Sequence, residues 1–97
     1  MNNIERAIEL TRRLEEGTIL LQRTSDAIEL DLQGNSRAVN PHIEHWLIQE
    51  ISSKNYVLYN LDTQRVWKIE KDKMACYLLE SKTFGIKPMF TISEEVA

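Results

Sequence analysis

Hydrophobic and polar residues change rhythm several times along this chain, and each change marks an expected element. From Asn3 to Glu16, the residues Ile4, Ala7, Ile8, Leu10, Thr11 and Leu14 fall on one arc of a helix and Glu5, Glu9, Arg12, Arg13 and Glu16 on the other. Asn2 or Asn3 can cap its start, and Gly17 can end it. Between 18 and 33, TILLQRT and AIELDLQ flank a Ser25-Asp26 turn, with Ile28, Leu30 and Leu32 alternating with Glu29 and Asp31 in the period of a half-exposed strand. These residues read as a first hairpin, with a helix starting at Ser25 as the competing reading. Gly34 to Arg37 is loop by composition.

Asn40 followed by Pro41 reads as a helix start: the Asn side chain can accept from exposed amides, and Pro sits where no donor is needed. The helix is expected to reach about Ser53, with Ile43, Trp46, Leu47 and Ile51 as its core arc and Glu50 at the edge. Asn55 to Glu70, NYVLYNLDTQRVWKIE, reads as a second hairpin turned at Asp62-Thr63-Gln64. A three-residue loop sets Leu61 opposite Arg65, Tyr59 opposite Trp67 and Val57 opposite Ile69, and sends Tyr56, Leu58 and Val66 to the other side. From Asp72 a third helix aligns Met74, Tyr77, Leu78, Ser81 and Phe84 and closes at Gly85. IKPMFTI is strand-like, Pro88 confines it to a sheet edge, and 93–97 is a frayed tail.

The expected fold is therefore α+β, in the order α-β-β-α-β-β-α-β, within one domain covering 1–97. It is a two-layer sandwich whose antiparallel sheet has about five strands, two hairpins plus a C-terminal edge strand, with three helices on one face. Two helix-plus-hairpin units are suggested, but the likeness of Ile4-Glu5 to Ile43-Glu44 is too slight to establish a repeat.

Composition narrows the function classes. With 97 residues, 28% of them charged, and few Gly or Pro, the chain suits an ordered domain with a modest core. A net charge of −3 gives no global attraction to nucleic acid or anionic lipid. A single cysteine, Cys76, rules out an intramolecular disulfide and suits a reducing compartment. MNNIERAIEL lacks the continuous apolar run of a signal peptide, and no stretch has the length of a membrane span. The expected location is cytoplasmic.

Candidate chemistry is sparse. His42 and His45, three apart on the expected helix, would share a side and are weak candidates for a metal pair, but a stable site needs three or four ligands. Cys76 has no evident base beside it and reads as a buried small residue. Gly17, Gly34 and Gly85 stand singly, so there is no phosphate-binding loop, and no cofactor or catalytic residue is expected.

Aromatic content is more telling: Trp46, Tyr56, Tyr59, Trp67, Tyr77, Phe84 and Phe90 lie mostly in the second half. Both faces of the second hairpin are partly apolar, so unless the third helix or the C-terminal strand covers it, one is left for a partner, carried by Tyr56, Leu58 and Val66 with Arg65 and Lys68. The expected function is a non-catalytic regulatory or adaptor protein acting by protein contact, homodimeric, such as a bacterial or phage inhibitor of a larger factor. One alternative is a nucleic-acid-binding accessory protein using Lys68, Lys71 and Lys73, which the scattered, offset charges disfavour. The other is a metal-dependent enzyme using His42, His45 and Glu44 or Glu50.

Overall fold

The computed structural model describes residues 2–81, 83, 85 and 87–93. Its elements are α1 (Asn3–Thr11), β1 (Ile19–Thr24), β2 (Ala27–Leu30), β3 (Ser36–Val39), β4 (His42–Ile51), β5 (Asn55–Asn60), β6 (Val66–Glu70), α2 (Lys71–Leu78) and β7 (Phe90–Ile92). Five strands form an antiparallel sheet in the order β6-β5-β4-β1-β7, and β2 and β3 form a separate pair. The α+β class and the five-stranded antiparallel sheet agree with the sequence, and β7 does take an edge. Two helices are found among the described residues, where three were expected.

The missing helix is β4. HIEHWLIQEI satisfies two periods: a helical arc of Ile43, Trp46, Leu47 and Ile51, and an alternation that turns Glu44, Trp46 and Ile48 inward and leaves Ile43 and His45 exposed. Tertiary pairing decides for the strand, because β1 and β5 complete its ladders on both sides, and the β-branched isoleucines and Trp46 suit a pleated surface. Asn40 adopts φ 50, a left-handed bend that Asn tolerates, and so begins a strand rather than capping a helix. With that helix gone, the suggested helix-plus-hairpin repeat has no second unit.

The first hairpin is also paired differently from the expectation. β1 pairs with β4, from Ile19↔Leu47 to Thr24↔His42, and β2 pairs with β3, from Ala27↔Val39 to Leu30↔Ser36. Three steps beyond Thr24↔His42 lead to Ala27↔Val39, so both pairs belong to one long ribbon in a single register. Ser25-Asp26 is therefore a break in this ribbon opposite Asn40-Pro41, bridged by the Asp26 N–H donating to the Val39 carbonyl at 2.9 Å. The true tip is Asp31–Asn35, where the Asp31 carboxylate accepts from the backbone N–H groups of Gln33 and Asn35.

In the second hairpin the loop is one residue longer than expected. The Asn60 N–H donates to the Arg65 carbonyl and the Gln64 N–H to the Asn60 carbonyl, both at 2.8 Å, and the Asn60 side-chain oxygen accepts from the N–H groups of Asp62 and Thr63. Pairing becomes Tyr59↔Val66, Leu58↔Trp67 and Tyr56↔Ile69. Because strand side chains alternate, this one-residue slip moves Tyr56 and Leu58 from the expected open face into the core, beside Trp67 and Ile69.

Both helices lie over the inner face. Asn2 caps α1 by accepting from the Glu5 N–H at 2.7 Å. The helix stops at Thr11, and Gly17, rather than ending it, donates its N–H to Ile48 and leads into β1. Ala7 and Leu14 are buried, but Ile4 and Ile8 of the same arc stay exposed. From α2, Met74 and Leu78 join Leu20, Ile48, Leu58 and Phe90 in one cluster. Trp67 packs within 5.6 Å of Trp46, Tyr77 and Phe90, mostly edge to face. Cys76, expected in the core, is exposed on α2. Ser93 still donates its N–H to Ile19, whereas residues 94–97 of the expected tail, and Phe84 of the expected third helix, lie outside the described residues. No helix among the described residues is long and apolar enough to cross a membrane.

Candidate functional site

Pleating fixes what the uncovered face displays. Residues paired across β1, β4, β5 and β6 on the side away from the helices are Ile19, Leu21 and Arg23; Ile43, His45 and Leu47; Val57 and Tyr59; Val66 and Lys68. Seven of these ten positions are apolar and have to shield one another or meet a partner, since both helices pack into the inner cluster. In the middle of the sheet Leu21, Leu47, Val57 and Tyr59 are half-buried by their neighbours, while Ile43 is 46% and Val66 63% exposed. The result is a largely aliphatic and aromatic surface, interrupted by His45 and bordered by Arg23, Glu50 and Lys68.

Of the five residues expected to form the interaction surface, Val66 and Lys68 are on this face. Tyr56 and Leu58 are not: Leu58 is fully buried, and burial pushes the Tyr56 hydroxyl above its usual pKa. The side chain of Lys71 lies over the Tyr56 ring, 5.9 Å from its centre, so this aromatic is capped rather than offered to a stacking base. Arg65 belongs to the opposite side, its Nη2 3.8 Å from Glu44 Oε1 and its Nε donating to Thr63 Oγ1. Leu47 and Tyr59, central to the open face, were missed because their placement depends on reading β4 as a strand and on the length of the 61–64 loop.

The two histidines separate for the same reason. Three positions apart on a strand, they point to opposite faces. His42 lies on the inner side, with Nδ1 2.8 Å from the Asn40 carbonyl and Nε2 3.0 Å from Glu44 Oε2. His45 lies on the outer side, where its N–H donates to Asp62 Oδ2 at 2.6 Å and its Nδ1 is 3.1 Å from the same oxygen. Among the described residues no three His, Cys, Asp or Glu side chains converge as metal ligands would.

Beyond the end of the helices the inner face opens into a recess of about 390 Å³ lined by Gln22, Thr24, Glu44, Trp46, Arg65, Val66 and Trp67. Glu44 is nearly buried there and accepts from Asn60 Nδ2 at 2.7 Å as well as bonding His42, while Trp46 Nε1 donates to Gln22 Oε1 at 2.8 Å. Hydrogen bonds first from His42 and then from Asn60 hold the Glu44 carboxyl below its usual pKa; in return the Asn40 carbonyl, followed by Glu44, raises that of His42. A carboxylate held ionised and already bonded is a structural acceptor, poorly suited to donate a proton. Alternation along β4 with Gln22 across the ladder is the signal that would have found this network. No protein-family model matches the chain, and no curated protein or solved structure resembles it significantly.

Proposed function

We propose that this chain is a non-catalytic adaptor or regulatory domain that works in the cytoplasm by protein contact, with the outer sheet face as its binding surface and a second copy as one partner. The observation that carries this reading is a single one: Ile43, Leu47, Tyr59 and Val66 lie on a sheet face over which no described element packs. Covering such a face removes apolar area from water, which favours association at roughly 25 cal/mol per Å² before the costs of ordering. The reading extends to the class of small bacterial or phage accessory proteins that inhibit a larger factor. Photocrosslinking in cells tests it. A benzophenone side chain at Tyr59 should yield discrete adducts, while one at the exposed position Arg6 on α1 should not. Absence of adducts from position 59, or an equal yield from both, would remove the proposal's basis.

A further inference from the structure

The ribbon of β2 and β3 stands away from the sheet, and no other element among the described residues packs against it. Every residue of β2 is exposed, as is every residue of β3 except Val39. Ile28 faces Ala38 and Leu30 faces Ser36, making one side an apolar strip, and the other side carries the Glu29–Arg37 ion pair at 2.7 Å. Ile28 is 68% and Leu30 74% exposed, and Leu32 at the tip is fully so. An isolated two-stranded ribbon is at best marginally stable in water, and both its edges keep unpaired amides and carbonyls. Among the described residues this arm therefore lacks a cover, and so does the outer sheet face of the same chain.

We infer that the two faces cover each other between two copies: the arm of one protomer lies across Leu21, Leu47 and Tyr59 of the other, and reciprocally about a two-fold axis. The inference rests on the reading of the outer face as a protein-binding surface, and names the binding element that a second copy brings. The area is of the right size. The accessible surface is 7437 Å², against about 5,800 Å² for a compact monomer of this mass, and the radius of gyration is 15.0 Å, against about 12.5 Å. The surplus is larger than the roughly 800 Å² that one protomer gives to a standard interface, so the surface that an arm and a face would cover is present. The reach is sufficient, since four extended residues span about 13 Å and three neighbouring strands about 10 Å centre to centre. Because β1 and β4 lead into the arm and also carry the outer-face residues, one two-fold interface can satisfy both arms at once.

Light scattering across a range of concentrations, with circular dichroism and amide NMR spectra as folding controls, tests the arrangement. Wild type should show a mass near twice 11.4 kDa. An arm variant, Ile28→Thr with Leu30→Thr, and a face variant, Leu47→Lys, should each weaken association by about a hundredfold, since each large aliphatic side chain is worth roughly tenfold or more; Leu21→Lys replaces Leu47→Lys if the latter does not fold. Mixing the two variants should restore association where neither self-associates, because the pair retains one intact arm and one intact face. A monomeric wild type, a dimer indifferent to the arm variant, or no recovery on mixing would overturn the inference. If the arm arrangement is overturned, Tyr59 adducts with a different protein still support the broader reading, and the absence of any adduct at position 59 removes that reading as well.

Discussion

The two halves of the long ribbon share one register and one chain segment, yet differ in nearly everything that gives a strand stability. In the lower half, β1 and β4 are flanked by β7 and β5, and Leu20, Trp46 and Ile48 turn into a core closed by two helices. In the upper half, β2 and β3 have hydrogen bonds and an alternating pattern but, among the described residues, no third strand and no helix. Pairing alone therefore does not distinguish a core from a projecting arm. What distinguishes them is whether a second layer meets the apolar side, because burial rather than the ladder supplies most of the net stabilisation.

The largest test of this contrast is truncation on each half. Leu58→Ala in the core should cost about 3 kcal/mol or more in denaturant unfolding, whereas Ile28→Ala, measured at high dilution, should stay within about 0.5 kcal/mol. A penalty at Ile28 that grows with protein concentration would show the arm covered by another copy. A large penalty independent of concentration would mean that the arm is buried within its own protomer, contrary to the structure.

A smaller effect compares two similar hydrogen-bond hubs. Asn60 is fully buried and bonds Glu44, Asp62 and Thr63; Asp31 is exposed and bonds the amides of Gln33 and Asn35. Asn60→Ala should cost about 2 kcal/mol and Asp31→Ala less than about half of that, since only the first leaves desolvated partners behind. Equal losses in thermal unfolding would show that burial does not set the difference.

The smallest effect is electrostatic and sits where the two halves join. The raised pKa of His42 means that its contribution is fully present below the ordinary value of 6.5 and fades as pH rises through the folded value. Glu44 has the opposite sign: with a lowered pKa, it contributes above the usual carboxylate range and loses that contribution as pH falls through its folded value. An NMR titration of the His42 ring should give a midpoint above 6.5, moving downward in Glu44→Gln. A midpoint unchanged by that substitution would detach His42 from the recess.

Much of the fold was legible because local signals agreed with one another. The α1 stripe, the Asn2 cap, the β5–β6 hairpin and the edge position of β7 all follow from periodicity and turn residues. β4 was misread because its residues fit helical and strand periods equally well and Asn-Pro is a strong helix-start signal; only the ladders of β1 and β5 settle the choice. The exposed Ile28 and Leu30 were legible as one side of a strand but not as uncovered, since alternation records that a side is apolar and not whether anything meets it. Of the five residues expected to form the surface, only Val66 and Lys68 lie on the outer face, because the extra loop residue exchanges Tyr56 and Leu58 for Val57 and Tyr59.

Both tryptophans, Trp46 and Trp67, sit in one ring cluster under the helices, at the far side of the sheet from the outer face. Their emission thus reports the inner layer as a unit, while Ala27–Val39 contains no aromatic residue. A fluorescence melt of this protein will trace the collapse of the inner layer in a single sigmoid even when the arm has already unravelled. Isotope-labelled methyl groups on Ile28 and Leu30 provide the reporter that the intrinsic fluorophores lack.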